Sequence, residues 1–281
     1  MVIPFVHGMD VILNMSHPDI QLDDKHRYTV NGELFPSVTQ IISATVPKDL
    51  SYWGMKVGVA GVCILYDRHK LNRKIHVEDV DDVVQQLVFE KLTTNHIYQS
   101  RGRSGITIHQ ALEDFGRKGV VPDPLAFPQE DLERVCGLAR WILETSPRFV
   151  AQEVQTASLK YQYAGTFDAR VIFGAGEYKG KECLVDLKTS KYVYPESHFP
   201  QLEAYEAAEL ECGEEPTDYR LVLHLPEDGI WTMTPSCDTL DDFLVLLEHY
   251  KTLQPRKLRI REAKKLAKQA AKVAKIEESV S

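Results

Sequence analysis

The stretch Ala164-Gly-Thr-Phe-Asp-Ala-Arg-Val-Ile-Phe173, Gly174-Ala-Gly-Glu-Tyr-Lys-Gly180, Lys181-Glu-Cys-Leu-Val-Asp-Leu-Lys188 decides the fold. Two strand-like runs flank a glycine-rich turn, the pattern of an antiparallel hairpin. Directly opposed residues in such a ladder keep a constant index sum. Asp168 and Asp186 sum to 354, so their midpoint is 177, the middle of the turn. The two carboxylates are therefore expected to face each other, or nearly so if a bulge intervenes. The pleat's period of two gives a second expectation. Phe167, Ala169, Val171 and Phe173, with Cys183, Val185 and Leu187, are all odd-numbered and form one apolar face. Asp168, Asp186 and Lys188 would then share the opposite face.

Two opposed carboxylates repel unless something neutralises them. A divalent cation does so, with Lys188 as a third charge beside it. Mg²⁺ takes one or two carboxylates, several waters and phosphate oxygens, the layout that phosphodiester hydrolysis needs. A bound metal lowers the pKa of water and screens charge on phosphorus. Lys188 can position or deprotonate that water, or stabilise the charged transition state. The competing reading of the hairpin alone is a structural ion pair between Lys188 and Asp168 or Asp186.

Upstream, Arg27–Val30 and Glu33–Phe35 flank Asn31-Gly32, a type I′ hairpin signal. Ser37 with Gln40 fits a capping box that starts a short helix through Ala44, ended by Pro47. Helical patterns follow near Leu50–His69, Val77–Thr93, Ser104–Lys118 (closed by Gly119) and Gln129–Thr145. Strands are expected at Val150–Leu159, Tyr161–Phe173 and Glu182–Lys188, a helix at His198–Glu211, strands at Tyr219–Leu225 and Ile230–Met233, and a helix at Asp238–Leu253. A mostly helical first half thus precedes a β-β-β-α-β-β-α run, an α+β or mixed α/β chain. Three regions are expected: an N-terminal hairpin and helical region over 1–100, a core over 101–255, and a basic Lys/Ala-rich tail over 256–281.

Two further pairs lie on helices. His109 and Glu113 are four apart on one face, which lets both reach a single site, and His is a common metal ligand. Gln201 and Tyr205 repeat that spacing just after the hairpin.

Taken together, Gly105…His109…Glu113, Gly165-Thr-Phe-Asp168, Asp186-Leu-Lys188 and Gln201…Tyr205 resemble the ordered motifs of the RecB-like branch of the PD-(D/E)XK nucleases. That branch carries G-x-x-x-H-x-x-x-E on a helix, G-x-x-D and (D/E)-x-K on strands, and Q-x-x-x-Y on a helix. The match runs from Arg101 to about Leu225, and Tyr28…Pro36-Ser37-Val38-Thr39 is similar to the N-terminal part of phage and prokaryotic exonucleases of this group. The resemblance implies a central mixed sheet flanked by helices and a Mg²⁺- or Mn²⁺-dependent DNA exonuclease of phage or bacterial recombination, repair or replication. It implies His109, Asp168, Asp186 and the Leu187 carbonyl as metal ligands and Lys188 as the catalytic lysine. Glu113 would be a further acidic helper, and Gln201 and Tyr205 would touch the DNA backbone or brace the site. Glu153 is a weaker candidate. Ser37, Thr39 and Lys48 are candidate DNA contacts near the entrance. A recombinase or single-strand-binding protein is the expected protein partner.

The bulk numbers fit these expectations. The 281 residues suit one large domain or a core with an appended subdomain. The net charge is −8, yet Arg256–Lys275 holds nine Lys and Arg against Glu262, about +8, which leaves about −16 elsewhere. An acidic body can still hold DNA in a local basic region. Cys63, Cys136, Cys183, Cys212 and Cys237 form no CxxC pair, so neither a zinc ribbon nor the iron–sulfur cluster of some relatives is expected. No apolar run is long enough for a bilayer, and Met1–Val6 lacks the basic flank of a signal peptide, so a cytoplasmic protein is expected. Tyr52, Trp53 and Trp141 are expected in the core rather than as base-stacking platforms.

Overall fold

The computed structural model describes residues 18–47 and 50–280. Met1–Val6 and Lys48 lie outside them. The chain opens on a small antiparallel sheet of β1 (Ile20–Leu22), β2 (Tyr28–Val30) and β3 (Glu33–Phe35). Val30 pairs with Glu33, and Asn31 and Gly32 turn between them with φ of 49° and 86°. Positive φ at both turn positions is what a type I′ turn requires, which the Asn-Gly pair supplies. β1 had no sequence signal; three residues are too few to establish a period.

α1 (Val38–Thr45) starts where Ser37 accepts a hydrogen bond from the Gln40 N–H at 3.0 Å. α2 (Ser51–Asp67) and α3 (Val80–Phe89) pack together through Leu65, Val83 and Leu87. α4 (Thr94–Lys118) ends at Gly119, whose φ of 65° is the left-handed cap glycine adopts readily. It begins ten residues earlier than the apolar pattern indicated, because its first turns are polar and half-exposed. α5 (Leu132–Thr145) then leads into β4 (Pro147–Ser158), β5 (Tyr163–Phe173) and β6 (Glu182–Lys188). α6 (Pro195–Glu211) crosses over to β7 (Tyr219–His224), followed by β8 (Thr232–Pro235) and α7 (Leu240–Val280).

The five strands β4-β5-β6-β7-β8 form one sheet in chain order. Only β6 and β7 are parallel, the pair that α6 connects. A parallel pair needs such a crossover, whereas the antiparallel pairs close with short loops. The chain is therefore a mixed α+β protein with helices on both faces of a central sheet.

One face packs against α4 and α5. Trp141 meets Phe173 edge-on at 6.1 Å, and its indole N–H reaches Met233 Sδ at 3.4 Å. The other face packs against α1, α6 and α7. Tyr163 meets Phe243 at 4.9 Å, and its hydroxyl donates to the Ala204 carbonyl at 2.8 Å. Each such aromatic, fully buried, contributes about 1.5–3 kcal/mol. The β1–β3 sheet rests on Ala157 and Ala164 of β4 and β5. The hairpin and α1 of the N-terminal region are thus built into the core, and α2 and α3 form a satellite beside α4. Trp141 is buried, Trp53 half-buried and Tyr52 exposed. Tyr52 thus departs from its expected place in the core, since it lies on the outer face of α2. Among the described residues no helix is long and apolar enough to cross a membrane.

Candidate active site

The β5–β6 ladder keeps the expected index sum of 354, with Ala169 opposite Val185 and Val171 opposite Cys183. Pairing stops at Ala169 and Val185, one step short of Asp168 and Asp186. Beyond that step the Leu187 N–H, whose ladder partner would be Phe167, instead donates to Asp168 Oδ2 at 2.6 Å. A carboxylate has replaced a backbone carbonyl. Within a strand the N–H and C=O of one residue project to the same edge, so the Leu187 carbonyl is turned toward this gap.

The expected face assignment requires a correction. Ala169, Val171 and Phe173 do face α4 and α5, together with Cys183, Val185 and Leu187. Phe167 instead joins the α6 side, 6.4 Å from the Tyr205 ring. The alternation of β5 therefore slips at Asp168. On β4, opposite, Gln152 and Val154 pair with Ala169 and Phe167 while Glu153 between them has φ of 48°. This double irregularity sends Asp168 toward α4, whereas Asp186 points toward α6. Strict period-two reasoning put both on one face; the break in alternation at Asp168, with no change of register, puts them on either side of the sheet's end.

Asp168 Oδ1 lies 3.1 Å from His109 Nδ1 on α4. Burial opposes ionisation of Asp168, but His109, Lys188 and the Leu187 N–H outweigh it and hold its carboxyl below the usual range. Burial likewise works against a charged His109, and Asp168 outweighs it, so the imidazole is shifted up. Glu153 joins them: one ligand atom from each of His109, Glu153 and Asp168 lies within 4.8 Å of the others. Desolvation and then the Asp168 charge push Glu153 up to about 7, although its side chain reaches solvent.

Asp186 is buried, with Lys188 Nζ 2.5 Å from its Oδ2 and the Gln201 side-chain amide donating to its Oδ1 at 3.1 Å. Its Oδ2 accepts no well-aligned hydrogen bond. Burial, ahead of the opposing Lys188 and the repelling Asp168, raises its pKa above the usual carboxylate range. Gln201 also accepts from Lys188 Nζ at 3.1 Å and donates to the Tyr205 hydroxyl at 2.9 Å. Gln201 and Tyr205 are 7% and 2% exposed. They therefore brace Lys188 and Asp186 from behind, and the expected DNA contact at these two positions is corrected, because neither presents a surface for a strand to touch. His198, three residues before Gln201 on α6, is buried as well.

Two glycines of the motif have steric reasons. A Cβ on Gly165 would stand 2.4 Å from Tyr205 Cε1, and one on Gly105 would stand 3.2 Å from Thr189 Oγ1, just after Lys188.

A cleft of about 500 Å³ opens over Asp168, lined by His109, Glu113, Glu153, Gln110, Ile106 and His26 among others. Glu113 sits on its wall, bonded to Gln110 at 3.0 Å and Arg117 at 2.7 Å, outside the tight His109–Glu153–Asp168 group. Ser37 caps α1 and Thr39 is exposed beside it, 3.2 Å away; neither lines this cleft. His26, with φ of 53°, carried no sequence signal. Glu153, a weaker candidate in the sequence, stands across from Asp168, since its neighbours Gln152 and Val154 pair with Ala169 and Phe167.

Searches for likeness found no family model that matches the chain and no match among curated proteins.

Proposed function

We propose that this chain is a Mg²⁺- or Mn²⁺-dependent deoxyribonuclease on a PD-(D/E)XK-type core, acting as an exonuclease in DNA recombination, repair or replication. The observation that carries this reading is the Asp168 carboxylate seated on the Leu187 N–H. It brings Asp168, Asp186 and Lys188 to one end of two adjacent strands, with Asp168 lining an open cleft. The mixed sheet with helices on both faces supports the core assignment, and the exonuclease preference rests on the resemblance of the ordered motifs.

The residues present fit a divalent cation. Two carboxylates, Glu153 and Asp168, crowd against the His109 imidazole, and a third, buried Asp186, stands behind them with Lys188 Nζ 2.5 Å from its Oδ2. An oxygen-rich set with one imidazole suits Mg²⁺ or Mn²⁺. Asp168, Asp186, His109 and the Leu187 carbonyl would hold it, with Glu153 beside them. When bound, such an ion activates water and screens phosphorane charge.

Lys188 has two roles. Its ammonium offsets the charge on Asp186, and its remaining donors can hold a phosphate oxygen or the attacking water. Gln201 fixes the lysine's position and Tyr205 fixes Gln201. Glu113, on the cleft wall, offers a carboxylate to incoming water. DNA enters over α4.

The reading is tested by incubating linear and covalently closed circular DNA with Mg²⁺ or Mn²⁺. Loss of linear DNA with circles spared is expected. Cutting of circles would replace the exonuclease by an endonuclease. DNA bound but never cut would leave a binding protein on this fold.

A further inference from the structure

α7 continues as one helix through Pro255 to Val280. Its first half is anchored by buried Phe243, Leu247 and Tyr250, at helical spacing. Beyond Pro255 this anchoring ends: the side chains from Arg256 to Arg261, with Ala263 and Lys264, are exposed. At about 100° per residue, positions 257, 261, 264, 265, 268, 272 and 275 of the helix fall within one arc of roughly 100°. All seven are Lys or Arg, and no Asp or Glu position falls in that arc. The opposite arc holds Ala263, Ala267, Ala270 and Ala274 with Leu266 and Val273. Arg256 and Arg259 lie off the basic arc.

We propose that this basic face of α7 is an arm that grips the phosphate backbone of DNA. Positions 257 to 275 span about 27 Å at 1.5 Å per residue, roughly the rise of eight base pairs, so the face is long enough to meet several phosphates of a duplex laid against it. The rest of the chain carries about −16, which repels a polyanion, so a separate cationic element is needed to hold one. A membrane surface fits less well. Interfacial helices bury Trp, Phe and Leu opposite their lysines, and this opposite face is mostly alanine.

The proposal takes DNA as the polyanion from the function proposed above. Binding is therefore read without cleavage, in EDTA, so that a dead site and an idle arm are told apart. The full-length protein is titrated into a fluorescent DNA duplex of about 20 base pairs, longer than the arm's span, across a series of salt concentrations. The variant K264Q/K268Q/K272Q is compared with R256Q/R259Q, which removes charge off the arc. Gln keeps helix propensity close to that of Lys, and circular dichroism checks the fold of each variant. The on-arc variant is expected to reduce the slope of log K against log salt by about 0.9 per lost contact. The off-arc variant should change it by less than one such step. Equal effects of both variants, or none, would overturn the proposal, as would capture of the wild type by anionic vesicles with no binding to the duplex.

Discussion

Asp168 bonds in two directions, to an imidazole on α4 and to the backbone of β6, so one residue ties a helix to a strand end. Its neighbour Glu153 pays the electrostatic cost. With its carboxyl raised to about 7, the folded protein binds more protons than the unfolded chain between roughly pH 4.5 and 7. Stability from this group is therefore lost as pH rises through that window, by about 1 kcal/mol once its exposure to solvent is discounted. Chemical denaturation of the metal-free protein at pH 5 and 7.5 should show the decline, and Glu153→Gln should flatten it. Gln201→Ala removes the amide that holds both Lys188 and Asp186. Cleavage should drop about 10- to 100-fold in kcat with KM little changed, since the lost contact acts on the lysine rather than on the substrate. The types and order of these residues were legible in the sequence. The sides they point to were not, because the backbone turns at Glu153, whose φ is 48°, and Asp168, and this inverts the alternation on which face assignment depends.

At the scale of elements, β5 and α6 are fitted to each other through a missing side chain. Gly165→Ala would drive a methyl into the Tyr205 ring and displace Gln201 with it. A loss of about 1–3 kcal/mol is expected in denaturant melts, together with loss of cleavage. Gly58→Ala, on α2, meets nothing within 4 Å. It should stabilise by about 0.5–1 kcal/mol through helix propensity. The two alanines separate packing from backbone entropy. Most elements were readable from periodicity and punctuation, as the Asn31-Gly32 turn and the Gly119 cap illustrate. The first turns of α4 and the whole of β1 were not, since polar exposed residues carry no period and three residues cannot establish one. Pro255 marked no boundary either. A helix long enough on both sides tolerates one lost hydrogen bond.

Across the whole molecule, an acidic body places its candidate active site at the end of a central sheet and its densest positive charge on a helix beyond it. A cation held by the carboxylate cluster should stabilise the folded chain by mass action, about 2.7 kcal/mol at a concentration 100 times its Kd. The rise in melting temperature with Mn²⁺ should vanish in Asp168→Asn. The net charge of the chain hides this arrangement, because it averages two regions; the split of about +8 over Arg256–Lys275 against about −16 elsewhere was legible in the sequence. The most direct measurement is the release of label from end-labelled linear DNA by wild type and Lys188→Ala, side by side, with Mg²⁺, Mn²⁺ or EDTA. The account predicts metal-dependent release by the wild type, at least about 100-fold slower in Lys188→Ala, and none in EDTA. Equal release by both proteins, or release that persists in EDTA, would contradict it.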